Sequence, residues 1–194
     1  MDLQELMRDG EWTTEPVRAE WGPDGELLVE AREESDAWRV TSYGFVHDNA
    51  HALLAPLGTS EAVEVTFQLD FDQQFDQAGL MIRVDETTWI KAGIEFSDGA
   101  AQVGAVVTHG FSDWSVAPVT DWMGREVTVR ASRDGDAVTI RARVADEPWR
   151  LVRVAPLSPT ADARAGLFCC APTRPGLVVR FVAHRRSEPD SSLH

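Results

Sequence analysis

Three segments decide the fold: Gln77-Ala78-Gly79-Leu80-Met81-Ile82-Arg83-Val84-Asp85, then Trp89-Ile90-Lys91-Ala92-Gly93-Ile94-Glu95-Phe96, then Ala101-Gln102-Val103-Gly104-Ala105-Val106-Val107-Thr108. Each alternates with period two, the signature of a strand that buries one face. In the first, Ala78, Leu80, Ile82 and Val84 share a face, leaving Gln77, Gly79, Met81, Arg83 and Asp85 on the other. In the second, Ile90, Ala92, Ile94 and Phe96 oppose Trp89, Lys91, Gly93 and Glu95. A three-residue loop, Glu86-Thr87-Thr88, pairs Asp85 with Trp89 and keeps apolar opposite apolar, whereas a two-residue loop sets Ile90 opposite Arg83. Across Ser97-Asp98-Gly99-Ala100 the same test pairs Glu95 with Gln102, Gly93 with Gly104, Lys91 with Val106 and Trp89 with Thr108. This register predicts a row Met81, Gly93, Gly104 on the non-core face, with Arg83, Lys91, Glu95, Gln77 and Gln102 around it and Trp89 at one end. Glycine weakens a strand unless something approaches its backbone, so facing glycines suggest a floor left open for a ligand or covering loop. A plain solvated sheet face is the alternative.

Outward from these segments the same period recurs over Glu26–Ala31, Ala62–Phe71, Arg125–Ser132, Ala137–Val144, Trp149–Val154, Ala163–Cys170 and Leu177–Ala183. That makes about ten strands at the spacing of a sandwich. No ten-residue amphipathic helix intervenes, which argues against a parallel α/β sheet and for an all-β, antiparallel two-sheet β-sandwich. Asp134-Gly135 marks a tight hairpin. Asp2, with Glu5 three residues on and Gly10 closing, predicts a short capped N-terminal helix. One domain over residues 1–184 is expected, followed by a loose tail over 185–194.

The chain has 194 residues, 43% of them hydrophobic, enough for a full core in one domain. No apolar run reaches the roughly 18 to 20 residues of a membrane span, and Met1–Gly10 lacks an apolar signal core, so a soluble cytoplasmic protein is expected. Its net charge of −14 repels phosphate backbones and anionic lipid, which disfavours nucleic acid and membrane partners. The two cysteines, Cys169 and Cys170, are neighbours in an extended segment. They therefore point to opposite faces and form no disulfide framework.

Candidate chemistry is sparse. His47-Asp48-Asn49-Ala50-His51 places two histidines at i and i+4, but on a strand the rings lie about 13 Å apart, and no metal or other cofactor is expected. Asp70, Asp72 and Asp76 cluster without the ordering of a calcium loop and read as a solvated turn. Glycoside hydrolysis needs two carboxyl groups flanking the bond. Glu95 is the best acid, yet Gly93 and Lys91 are its same-face neighbours, so a partner has to come from a loop, Asp76 or Asp113. No nucleophile motif, phosphate loop or dinucleotide fingerprint appears, and no catalytic residue is assigned. Seven tryptophans against one tyrosine is unusual, and Trp38, Trp89 and Trp114 stand beside polar blocks, where indoles stack on sugars as readily as they anchor cores.

Ala37-Trp38-Arg39-Val40-Thr41-Ser42-Tyr43-Gly44-Phe45-Val46-His47-Asp48-Asn49-Ala50-His51, the segments 76–85 and 89–95, Val106–Ser115 and Cys169-Cys170-Ala171-Pro172 together form a pattern covering most of the chain. It resembles the regulation-of-enolase family, long catalogued as a domain of unknown function. The resemblance implies a concanavalin A-like lectin/glucanase jelly roll with one concave sheet face, and no defined chemistry. The expectation is a noncatalytic protein whose groove binds a carbohydrate or other small polyhydroxy ligand. Tyr43, Trp89 and Trp114 border the ligand; His47, Asn49, Gln77, Arg83, Lys91 and Glu95 bind it through polar groups. The rivals are a regulatory module that offers the same face to a protein partner and a glycosidase built on Glu95 with a loop acid.

Overall fold

A computed structural model describes residues 1–193. The chain opens with α1 (Leu3–Asp9), whose ends are those expected: Asp2 accepts the Glu5 amide at 2.9 Å and Glu5 reciprocates with the Asp2 amide at 2.8 Å. Sixteen strands follow among the described residues. They are β1 (Glu11–Trp12), β2 (Arg18–Trp21), β3 (Leu27–Glu30), β4 (Ala37–Arg39), β5 (Val46–Asp48), β6 (His51–Leu57), β7 (Glu61–Gln68) and β8 (Gln77–Arg83). The second half holds β9 (Thr88–Ser97), β10 (Ala100–His109), β11 (Phe111–Pro118), β12 (Glu126–Asp134), β13 (Ala137–Val144), β14 (Arg150–Pro156), β15 (Ala163–Cys170) and β16 (Val178–Ser187). One seven-stranded sheet runs β1-β6-β15-β8-β9-β10-β11 and the other β14-β13-β12-β7-β16-β3-β2, every pair antiparallel. This is the antiparallel two-sheet sandwich that the alternation predicts, of the jelly-roll type that the resemblance implies. No helix among the described residues is long and apolar enough to cross a membrane.

The inward faces meet in one apolar core in which Leu80, Ile82, Ile90, Ile94, Val63, Val65, Phe67, Val129, Ile140, Leu167 and Phe181 are buried. A second, smaller cluster lies on the opposite face of the first sheet: Ala52, Leu54, Met81, Trp89, Val106, Phe168 and Cys170. Its cover explains why β6, His-Ala-Leu-Leu-Ala-Pro-Leu, shows no alternation: both of its faces are buried. The cover is β4 and β5, a separate two-stranded hairpin pairing Trp38 with His47. Cys169 faces the main core and Cys170 the smaller one, opposite faces as the extended spacing requires.

The predicted register holds at one junction and slips at the other. β9 and β10 pair Glu95 with Gln102, Gly93 with Gly104 and Trp89 with Thr108, as expected. Between β8 and β9, however, Trp89 pairs with Arg83, not Asp85, and Lys91 pairs with Met81. Asp85 has left the ladder because its carboxylate accepts the Thr87 amide at 2.7 Å and hydroxyl at 2.9 Å, closing a longer side-chain-capped turn. The slip is two residues, so every side chain keeps its face. The row is therefore Gly79, Gly93, Gly104 across three strands. These glycines are not an open floor. A Cβ on Gly79 would lie 2.1 Å from the Ala92 carbonyl oxygen, one on Gly93 2.1 Å from that of Ala78, and one on Gly104 2.2 Å from that of Ser115. The strands approach too closely here for any side chain.

The expected loose tail is shorter than the sequence suggests. β16 runs on to Ser187, and Asp190 is ion-paired with Arg130 at 2.9 Å and with Arg141, while its amide donates to Ser132 Oγ at 2.8 Å. His194 lies outside the described residues. On the same strand His184 is buried against the Met1 carbonyl, with Nδ1 2.9 Å away and no partner for Nε2. Burial pushes its pKa down to about 4 from 6.5. The unfolded chain therefore binds the extra proton over that interval and stability falls as pH drops from 6.5 towards 4, by up to about 3 kcal/mol. Urea titrations at pH 7 and pH 4.5 should show His184→Gln flattening that slope; an unchanged slope would show that His184 does not titrate on unfolding.

Candidate functional site

The hairpin β4–β5 bends over the outer face of the first sheet and leaves a cleft of about 740 Å³ beside it. Its position is fixed by polar contacts that the sequence distributes far apart. The Arg39 amide donates to Ser112 Oγ at 2.9 Å, and that hydroxyl is bonded to Thr108 Oγ1 at 2.9 Å. Arg83 grips Asp48 through both nitrogens, at 2.5 and 2.7 Å. Behind the hairpin, Ser35 is fully buried, donating to the Arg32 carbonyl and accepting the Ala171 amide, while Asn49 accepts the Asp36 amide at 2.9 Å and donates to the Glu34 carbonyl at 3.0 Å. This framework delivers Asp36 to the floor.

The floor is a buried polar cluster. Lys91 Nζ donates to Asp36 Oδ1 at 2.9 Å and to Gln77 Oε1 at 2.8 Å; Lys91 and Gln77 are each only 4% exposed. Asp36 Oδ1 also takes the Ala37 amide at 2.7 Å and lies 3.8 Å from Cys170 Sγ. Burial alone would lower the Lys91 ammonium, but the Asp36 charge overrides it and holds it above the ordinary lysine value. Burial likewise works against the Asp36 carboxylate, and Lys91 with the Ala37 amide outweighs it, keeping Asp36 below the ordinary range. Glu95 differs. Burial raises it, Lys91 only partly compensates, and its buried Oε1 has no hydrogen-bond partner.

The walls are aromatic. Along the hairpin Trp38 meets Tyr43 edge-on with centroids 5.7 Å apart, Tyr43 stacks on Phe45 at 5.2 Å, and Phe45 meets His47 edge-on at 4.7 Å. Trp114 of β11 and Phe75 also line the cleft, and Tyr43, Phe45, Phe75 and Trp114 are all exposed. Left-handed backbone at Val40, Ser42 and Gly44 folds the hairpin tip back so that Tyr43 and Phe45 share one side.

Of the residues expected at a site, Tyr43, His47, Asn49, Gln77, Lys91, Glu95 and Trp114 line this cleft. Trp89 and Arg83 lie elsewhere. The slipped register carries Trp89 beside Arg83, where the indole is 2% exposed in the smaller core and the guanidinium is committed to Asp48. Asn49 lines the cleft with its amide already spent on the backbone behind it. The cleft also takes in Asp36, Phe45 and Phe75, which sequence reasoning did not assign to it, and Trp38, one of the three indoles it noted beside polar blocks. For Asp36 the available signal was its place directly before the quoted 37–51 block; Phe75 was hidden among the acids of 70–76. His51 accepts the Arg32 amide at 3.0 Å on Nε2 and sits 3.0 Å from the Thr14 carbonyl on Nδ1, so it is a neutral bracing histidine with both ring nitrogens engaged by backbone. Asp76 is fully buried against Arg174 and Asp113 is paired with Arg153 at 2.6 Å.

These features define a lectin-like β-sandwich with an aromatic-walled hollow on one sheet. The chain belongs to the family described as Protein of unknown function (DUF1349), whose model matches residues 12–189. It is 35% identical to Regulation of enolase protein 1 of Saccharomyces cerevisiae over 175 residues, 90% of this chain and 87% of the relative. A crystal structure of a functionally unknown protein from Saccharomyces cerevisiae superposes with a TM-score of 0.87 at 35% identity, covering 95% of this chain and 99% of that one. Lectin I-B4 from Griffonia simplicifolia, in its metal-free form, superposes with a TM-score of 0.58 at 14% identity over 95% of both chains, a likeness of fold alone.

Proposed function

We propose that this chain is a noncatalytic binding protein that holds a small polyhydroxy ligand, such as a sugar, in the cleft between the β4–β5 hairpin and Trp114. The observation that carries this reading is the pairing of exposed aromatic faces with a buried hydrogen-bonding floor in one hollow of about 740 Å³. That volume lies within the range of about 300–1,000 Å³ typical of small-molecule sites. Ring faces pack on the C–H faces of a sugar while the floor answers its hydroxyls. The noncatalytic part rests on the carboxylates. Of the loop acids expected to partner Glu95, Asp76 and Asp113 are each engaged by a cation, as is Asp36, and Glu34, the cleft's other unpaired acid, is exposed and lacks the burial that holds a proton on a general acid. Two buried, unbridged cysteines suit a reducing compartment, and we assign the protein to the cytoplasm on that ground.

The relative's name and the exposed rings favour a second reading, in which a protein partner covers the same rim. One experiment separates the two. Thermal-shift and calorimetric titration against a broad panel of sugars and polyols should show at least one ligand series raising Tm, with affinity lost about tenfold or more in Trp114→Ala. A panel without any response overturns the small-ligand reading and leaves the partner-docking one.

A further inference from the structure

Resting on that polyhydroxy reading, we propose that the preferred ligand carries a positively charged nitrogen: an amino sugar or amino polyol, not a neutral or acidic one. The argument starts from charge. Glu34, Asp36 and Glu95 line the cleft against one ammonium, that of Lys91, and the imidazole of His47, whose charge acts on Asp36. Lys91 is already committed to Asp36 and Gln77, both at hydrogen-bond distance. Glu34 and Glu95 are therefore left without a cation, and Glu95 keeps a buried oxygen with no donor at all.

A buried carboxylate oxygen without a donor is costly, and an ammonium relieves it more than a hydroxyl does, because it adds the attraction of a full opposite charge to the hydrogen bond that either can make. Burial raises the Glu95 pKa more than Lys91 and Ser97 lower it, and an ammonium placed beside the carboxylate would favour its charged form. The walls add a second, independent preference. Trp38, Tyr43, Phe45, Phe75 and Trp114 line the cleft, and a cation seated over an aromatic face is attracted by the ring's quadrupole, an effect that neutral hydroxyls do not gain. The whole chain, at −14, adds a long-range field of the same sign that draws cations and repels acids. The amine therefore belongs on the Glu34/Glu95 side, with the ligand's hydroxyls over Lys91, Gln77 and the free edge of Asp36.

The test is calorimetric titration with matched sets of hexosamine, hexose, N-acetylhexosamine and hexuronate in the gluco, galacto and manno series. It is run at low salt and near pH 6.5, below the pKa of roughly 8 of such an amine. In at least one series the hexosamine should bind about tenfold more tightly than its neutral counterparts and the hexuronate most weakly, with the preference shrinking as salt is raised. Glu95→Gln should erase the amine preference while hexose binding persists, and the exposed Glu34→Gln should reduce it without risk to folding. Equal binding of hexosamine and hexose, or tighter hexuronate binding, overturns this inference and leaves the polyhydroxy reading intact. Failure of every sugar in the sets to bind overturns both.

Discussion

Gly93→Ala should leave little or no stably folded protein. Judged by strand propensity the change ought to help, since alanine loses less backbone entropy than glycine. The surroundings dictate the opposite sign: the added Cβ would sit 2.1 Å from the Ala78 carbonyl oxygen and 2.8 Å from the Gly79 Cα, both backbone atoms in the middle of a sheet. Neither can move without breaking pairs between β8 and β9, so a loss of at least about 3 kcal/mol is expected, a large share of the 5–15 kcal/mol of an ordinary domain. Urea unfolding of Gly93→Ala beside Gly99→Asn makes the comparison. Gly99 has φ of +76° in a two-residue turn with nothing near its Cβ position, and asparagine tolerates that conformation. A Gly93→Ala protein within 1 kcal/mol of the parent would refute the close-approach explanation of the glycine row.

The second large effect belongs to the floor. Asp36→Ala strands the Lys91 ammonium at 4% exposure with only Gln77 for company, and is expected to cost about 3–5 kcal/mol. Lys91→Met should cost less, since Asp36 keeps the Ala37 amide and one-fifth of its side-chain surface in water. The double variant should recover part of the Asp36→Ala loss, because no buried charge is then unpaired. The pH signs follow from the same pair. Asp36 sits lower folded than its unfolded value of 3.8, so its contribution is intact above that value and is lost as pH falls through the folded pKa. Lys91 sits higher than 10.5, so its contribution is intact below that value and is lost as pH climbs through the folded pKa. Chemical denaturation of the four proteins between pH 3 and pH 11.5 checks both. A Lys91→Met loss exceeding that of Asp36→Ala would contradict the assignment of the charge needing rescue.

How far the sequence could be read depended on whether a residue's role was local. Ala163–Cys170 and Ala137–Val144 are strands with the predicted bounds because alternation and a flanking turn define each on its own. The β9–β10 register was readable for the same reason: Asp98-Gly99 closes the shortest hairpin, and only one parity keeps Ile94 and Val103 inward. The β8–β9 register failed because Asp85 chose its own turn over the ladder, a competition between side chain and backbone that alternation does not register. β6 escaped notice because its second face is covered by residues 37–48, a cover no local pattern announces. At the site, the polar face of β9 was legible, but the partner of Lys91 was not. Asp36 arrives from a loop pinned by Ser35, Asn49 and Ala171, contacts spread over more than a hundred positions of chain. Trp89 misled for a related reason: a polar sequence neighbourhood gave no sign of Met81, Phe168 and Leu54 waiting around it.

The placement of the last two strands has a consequence for how the molecule is made. β15 lies between β6 and β8, and β16 between β7 and β3, so both sheets receive a central member from the final thirty or so positions of the chain. A ribosome-bound precursor that has emitted everything up to β14 owns two half-sheets with bare inner edges, and neither can zip shut until β15 and β16 emerge. Closure of both sheets thereby waits for these two strands, which leaves the nascent chain, before they appear, with the edges most open to edge-to-edge aggregation.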